Sequence, residues 1–463
     1  MRHPYPSTQA SQNRKALGPF RNFGGVREYL SDQPVLAHTI RPFGSNTRVR
    51  ARHSLNGSLA GYLSTTDDGP ASAVCRGNVS KERTVIVDHR TSTIEPSGTP
   101  HIAVGLDRSL GLSWDQYREL GRHAAGLGYQ SVWTNSGIDI GRDPMHICAQ
   151  WSVASADVVP GGIGTGVSVI PIGYWSVAAM ASCAATVGEI SGGKFVLGVG
   201  AGALHQPAFR RSLGLDSSLR PVATMREWLV TLRALLAGET VQHEGKAITL
   251  HGINLGSKPP KVPVALGALG PNMLTLAGEA SDGAALNWCT PEQVAASREI
   301  VAQGAQAAGR DPGEVAMIVY IRICVDDDVD AARRAFTKAL MPYALAWPGT
   351  NKSLGYRGHF ARMGFDDALT ELEDRRERGA SEDELIDAFP EELAKLVGYF
   401  GPASGAAAAF GHLAEGLDTA IVRVVASRPG LESITAVMET CQPSKLPRIP
   451  GRADHREHRL ETP

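Results

Sequence analysis

Apolar and polar positions fall into alternating blocks along most of this chain. Short apolar runs, each too short for a stable helix, are followed by longer stretches whose apolar residues recur three and four positions apart. The runs are "HIAVGL", "SVWTN", "GIGTGVSVIPI", "KFVLGVG", "VPVALGALG", "GAALNW", "VAMIVYIRICV" and "TAIVRVVA", which predict strands starting at His101, Ser131, Gly164, Lys194, Val262, Gly283, Val315 and Thr419. Between them lie predicted helices such as "SWDQYRELGRHAAGLG", with Ser113 as N-cap, and "TPEQVAASREIVAQGAQAAG", with Thr290 as N-cap and Pro291 in its first turn. Buried strands alternating with helices require a parallel sheet with right-handed crossovers. Eight such units suit closure into a (β/α)8 TIM barrel, an α/β fold; a doubly wound open sheet is the competing architecture.

The pattern also sets the boundaries. Residues 1–99 are punctuated by Ser, Thr, Asn, Arg and Gly, and hold none of the seven tryptophans. The first hundred residues carry 13 Lys and Arg against 7 Asp and Glu in a chain whose total charge is −1. They read as a weakly ordered N-terminal extension, with a transit peptide or an unselected upstream start as alternatives. Residues 100–442 form the barrel domain. Within it, Asp326 to Tyr399 is acidic and helical, an insertion before the last strand. Residues 443–463 are polar and expected to be a loose tail.

Charge changes the picture little. No basic stripe implies nucleic acid, no apolar run is long enough for a membrane span, and no signal peptide is evident, so a cytoplasmic location is expected. Six scattered cysteines without a CxxC pair read as free thiols. Partners are then a small-molecule substrate and, left open, a second copy in a homodimer.

In a barrel the chemistry sits at the C-terminal ends of the strands. That rule selects Asn135 and Ser136, Ser168 to Ile170, Gly200 to Gln206, the turn after "VPVAL", and Asn287 to Thr290. "GVGAG" (Gly198 to Gly202) lacks the spacing of a dinucleotide fingerprint. It reads either as close packing or as backbone cleared of side chains for a flat ring. Gly270-Pro271-Asn272 reads as an ordinary helix start or as an anion site built from backbone N–H groups. The histidines form no cluster with metal-ligand spacing, so no metal is expected. His205, just past the fourth strand, is the best titratable candidate. A mouth so poor in acids and bases suits an organic cofactor that carries the difficult chemistry itself.

The segments "SGGKFVLGVGAG", "RPVATMREWLVTLRALLAGETVQHEGKAITLHGINL" and "VPVALGALGPNMLTLAGEASDGAALNW" resemble the bacterial luciferase-like superfamily of flavin- and coenzyme F420-dependent oxidoreductases, methylenetetrahydromethanopterin reductase-type members in particular. The resemblance covers roughly His101 to Cys441. It implies an eight-stranded barrel with the cofactor ring at its C-terminal mouth. It implies that Ala268, Leu269, Gly270, Pro271, Asn272 and Met273 cradle the cofactor phosphate, and that Ser168-Val169, often cis in such proteins, supports the ring. It also implies that Gly200 and Gly202 line the ring and that Asn287 lies close to it; His205 and Asn135, selected by their places at strand ends, are the catalytic candidates. Asn135-Ser136 stands where sugar-phosphate dehydrogenases have an Asp-His pair, and Ala203 where they have a Glu. The expectation is therefore a reductase moving a hydride between coenzyme F420 and a small organic substrate. An FMN-dependent monooxygenase using O2 is the alternative; it ranks second because no Arg or Lys follows the fifth or sixth strand to hold an FMN phosphate. A non-catalytic barrel that binds a partner through its acidic insertion is the third reading.

Overall fold

The computed structural model describes residues 99–137, 141–202, 204 and 206–452. The expected N-terminal extension, apart from Thr99, therefore lies outside the described residues, as do Ala203 and His205. Eleven strands are present among the described residues: β1 (His101–Gly105), β2 (Ser131–Thr134), β3 (Gly164–Pro171), β4 (Phe195–Gly200), β5 (Val241–Glu244), β6 (Thr249–Ile253), β7 (Val264–Gly267), β8 (Gly283–Asn287), β9 (Ala316–Val325), β10 (Gly398–Gly401) and β11 (Thr419–Val424). Eight of them pair in parallel in the order β1-β2-β3-β4-β7-β8-β9-β11, and β11 closes on β1 from His101↔Thr419 to Gly105↔Arg423. This is the expected (β/α)8 barrel.

The helices start where local chemistry places them. Ser113 and Thr290 each cap with the reciprocal Gln side chain three residues on, opening the helices Trp114–Gly126 and Pro291–Ala307. None of the described helices is long and apolar enough to cross a membrane.

Alternation along each strand divides the core in two. Val104, Val132, Leu197, Leu266, Leu286, Val319 and Val422 face the helices, while Ala103, Trp133, Val196, Ala265, Ala285, Ile318, Tyr320 and Ile421 fill the barrel. The interior closes around Trp133, whose indole occupies the space that a side chain at Gly166 would need. A third core, with Trp288, Phe336, Phe360 and Leu393 among its members, belongs to the insertion. Its helices include Val329–Ala344, Gly355–Phe360 and Asp366–Glu377.

Three features depart from the sequence reading. A hairpin, β5-β6, follows the helix Pro221–Leu236, and Glu227 holds its turn by accepting the N–H groups of Lys246, Ala247 and Ile248. Strand β10, which begins at the end of the stretch read as helical, adds to the end of β9, with Gly398 beside Arg322. Of the tail read as loose, residues 453–463 lie outside the described residues; within 443–452, Ile449 is buried, Pro447 lies beside Gly411, and Arg452 donates to Gly313 O at 3.0 Å, while Ser444, Lys445, Arg448 and Pro450 are exposed.

At the N-terminal end of the barrel, Ser131 Oγ accepts from Trp133 Nε1 at 2.8 Å and lies 2.7 Å from His101 Nε2. Burial pushes His101 down from 6.5 to about 4. The unfolded chain therefore binds the proton first as pH falls, so the stabilisation is complete above pH 6.5 and is lost between 6.5 and 4. We expect a loss of up to about 3 kcal/mol across that window. Denaturant titrations of the parent and of His101→Gln at pH 7 and pH 4.5 should show it, with the variant flatter.

Candidate active site

Each barrel strand delivers an inward-facing residue to the C-terminal mouth. In order these are Gly105, Asn135 just beyond β2, the Ser168–Val169 peptide, Gly200, Gly267, Asn287, Arg322 and Arg423. Tyr320 spans the barrel below them and donates to Thr134 O at 2.7 Å, forming a floor. Asn135, Ser168, Val169, Gly267 and Asn287 are half-buried, so this floor opens to the mouth on their side.

The Ser168–Val169 peptide is cis, the geometry the resemblance implies. The Val169 carbonyl faces Ser136 N at 3.4 Å. The Val169 side chain fills the space left by three glycines: a Cβ on Gly198, Gly200 or Gly267 would stand 3.1, 2.7 or 3.2 Å from its methyl groups. Gly202, at φ +53, is likewise closed off by Pro171. The expected bare glycine surface is thus corrected. The run receives Val169 and Pro171, which is the close-packing reading, and Val169 itself is what the wall presents.

Next to this wall β7 ends and the helix Pro271–Ala280 begins. Gly270 is its N-cap in an extended conformation, Pro271 is its first residue, and no side chain caps it. A Cβ on Gly270 would meet nothing within 4 Å, and Pro271 and Asn272 are exposed. Ala268 is buried and tied to β8 through Ala285 O at 3.1 Å, while Leu269 and Met273 pack on the main core. The turn therefore offers the positive end of a helix to open space.

The other wall is cationic. Arg322 donates to Asn287 Oδ1 at 2.5 Å and its guanidinium lies 3.5 Å above the Trp288 ring. Trp288 adopts φ +57, an uncommon conformation for a bulky residue, which turns the end of β8 toward the insertion. Asn287 Nδ2 donates to Tyr356 Oη at 2.9 Å, so the amide expected to face a ring is engaged on both sides. Arg423 pairs with Asp107 and stacks 4.8 Å from the Tyr320 ring. Burial lowers the pKa of Arg322, and pushes Arg423 down to about 9. Burial holds the Tyr356 hydroxyl above its ordinary range. Below Trp288, His359 Nε2 donates to its carbonyl at 2.9 Å, and Cys289, pushed up to about 12 by burial, stays a neutral thiol.

The structure thus brings Ser168, Val169, Gly200, the Ala268–Met273 turn, Asn287 and Asn135 to one mouth, and His205 lies outside the described residues. Sequence reasoning missed Arg322, Arg423 and Tyr356. The two arginines did carry a signal, a charged residue inside "IVYIRICV" and "AIVRVVA", since such a residue is rarely buried without a purpose. Tyr356 carried none, because its place depends on how the insertion folds back.

A family profile described as luciferase-like monooxygenase matches residues 95–420. The chain belongs to that luciferase-like family. Among curated relatives, it is 38% identical over 160 residues to a 5,10-methylenetetrahydromethanopterin reductase of Methanolobus tindarius, a match that spans 35% of this chain and 48% of the other. It is 31% identical over 174 residues to an F420-dependent glucose-6-phosphate dehydrogenase of Rhodococcus erythropolis, spanning 37% of this chain and 51% of the other. The chain thus spans about half the length of the curated relatives it matches. Among solved structures, the coenzyme F420-dependent tetrahydromethanopterin reductase of Methanopyrus kandleri superposes with a TM-score of 0.60 at 20% identity, covering 74% of this chain and 98% of that one. At that identity the superposition supports the luciferase-like fold.

Proposed function

We propose that this luciferase-like chain is a coenzyme F420-dependent oxidoreductase that moves a hydride between the deazaflavin and a small organic substrate, working as a reductase. The observation that carries this reading is the open, uncapped helix start at Gly270, set beside the half-buried cis peptide at Ser168–Val169. The local likeness to methylenetetrahydromethanopterin reductases supports it.

The donor set fits such a cofactor. A phosphate held at Gly270 gains the helix dipole and backbone N–H groups, with Asn272 nearest the start. Ser168 and Val169 would back the ring, and Gly200 and Gly267 keep Val169 in place by leaving it room. The chemistry such a group supplies when bound is hydride transfer. What the chain adds is orientation, and hydrogen bonds from Asn135 and Ser136 at the second strand's end. Those two residues cannot act as a carboxylate–imidazole pair, which favours reduction of an activated double bond over oxidation of an alcohol. His205, which follows β4 in the sequence, is the titratable candidate.

The test is a fluorescence titration of the full chain with F420 and with FMN. Saturable F420 binding is expected. Tight FMN binding without F420 binding, accompanied by O2 consumption in the presence of reduced FMN, would establish the monooxygenase reading instead.

A further inference from the structure

The two arginines of the mouth are not explained by holding a cofactor at Gly270. They are Cα partners on adjacent strands, Arg322 on β9 and Arg423 on β11. Around the barrel, β9 is four strands from β3 in either direction, and β11 is four from β4. Both side chains therefore stand on the wall opposite the cis peptide. Both are buried, at 4% and 2% exposure.

Their charges are unevenly matched. Arg423 has one carboxylate, Asp107, and its Nη1 is buried without a hydrogen-bond partner. Arg322 touches Asn287, Trp288 and Tyr343, all neutral, and makes no ion pair with any described residue. Two guanidinium groups thus share one carboxylate in a site shielded from water. An uncompensated buried cation is costly, and an apolar side chain of similar volume would fill the space at less cost. Its presence calls for an anion, and a guanidinium fork matches an oxyanion geometrically.

We propose that Arg322 and Arg423 receive an oxyanionic substituent, a carboxylate or a phosphate, of the molecule that accepts the hydride. The substrate class is thereby an organic anion held on the wall facing Ser168–Val169. The inference rests on the hydride-transfer reading above for the identity of that molecule, but the anion site can be tested without it.

The experiment is calorimetric titration of the cofactor-free full chain with acetate, succinate and inorganic phosphate, against sodium chloride of matched ionic strength. Saturable heat from a carboxylate or from phosphate is expected, and which of the two binds identifies the substituent. Arg423→Gln should weaken that binding by about tenfold or more, the loss expected for one charge-assisted hydrogen bond. Arg423→Lys, which keeps the charge and loses the fork, should fall between. If Arg423→Gln leaves Asp107 unpaired and fails to fold, Arg322→Gln and Arg423→Lys carry the comparison, with thermal midpoints as the folding control. Heats equal to the chloride control, or unchanged binding in the variants, would overturn the proposal. F420 titrations of the same variants separate the two readings. Anion binding by a parent chain that does not bind F420 would remove the hydride-transfer reading and leave the anion site standing. A loss of F420 affinity in Arg423→Gln as large as the loss of anion binding would assign the arginines to the cofactor and overturn the substrate site.

Discussion

Gly270→Val is expected to fold like the parent and to bind F420 at least about tenfold more weakly. The two halves of that expectation have separate physical grounds. Gly270 sits at φ −93 and ψ 156, a conformation open to any residue, and a Cβ there would meet no atom within 4 Å. The only folding penalty is then a poorer helix N-cap, about 1 kcal/mol. Binding is another matter, because the same empty space is where a phosphate would approach the Asn272 N–H, the one left free in the first turn by Pro271, which has none, and by Met273 and Leu274, which donate to Gly270 O at 3.0 Å. An isopropyl group excludes it and forfeits a charge-assisted hydrogen bond, worth about 1.5–3 kcal/mol, together with the helix-dipole attraction. Gly270→Ala should give a smaller loss. Fluorescence titration with F420 and a thermal melt measure both halves, and unchanged affinity in the valine variant would reduce the turn to a structural element.

Much of this was legible in the sequence, for reasons that individual residues show. Barrel strands are buried on both faces, so each appears as an apolar run, and runs such as "KFVLGVG" and "TAIVRVVA" announced β4 and β11 within one residue of their starts. Caps such as Thr290 fixed where helices begin. The hairpin β5-β6 was illegible because both strands are largely exposed, "VQHE" carries polar residues on both faces, and "TLHGI" has Gly252 in its interior and an exposed Ile253. Strand β10, with only Gly398 to Gly401, is too short to have a period and forms because β9 extends beyond the barrel to meet it. At the candidate site, the helix start at Gly270-Pro271 was legible in the residues themselves, and the cis peptide at Ser168-Val169 only through the resemblance. The site was illegible where it depends on distant pairing: Asn287 and Tyr356 meet across 69 residues, through a helix whose position only the insertion's own core determines.

That dependence makes Glu373 the residue whose loss should disturb the fold most. Its side chain is 2% exposed, accepts from Arg357 Nε at 2.9 Å and Ala346 N at 2.7 Å, and forms an ion pair with Lys352 at 2.7 Å. Arg357 is itself satisfied on every side, by Asp366 and Thr370 as well as Glu373. Burial pushes the Glu373 carboxyl up, but Lys352, the Ala346 N–H and Arg357 together outweigh it and hold the group below 4.5. Glu373→Gln keeps the shape and removes the charge, leaving Arg357 with Asp366, whose side chain is 65% exposed, as its one carboxylate partner. Breaking a buried pair in this way costs about 3–5 kcal/mol. Arg357 follows Tyr356 and lies two residues before His359, so the helix that loosens is the one that covers Asn287 and Trp288. We expect Glu373→Gln to expose the amides of Gly355–Phe360 to hydrogen exchange while the barrel strands stay protected. In the parent, the contribution of Glu373 is present above pH 4.5 and is lost as the pH falls through the depressed folded value. Equal protection of that helix in parent and variant would mean that the insertion is held to the mouth by its aromatic contacts alone.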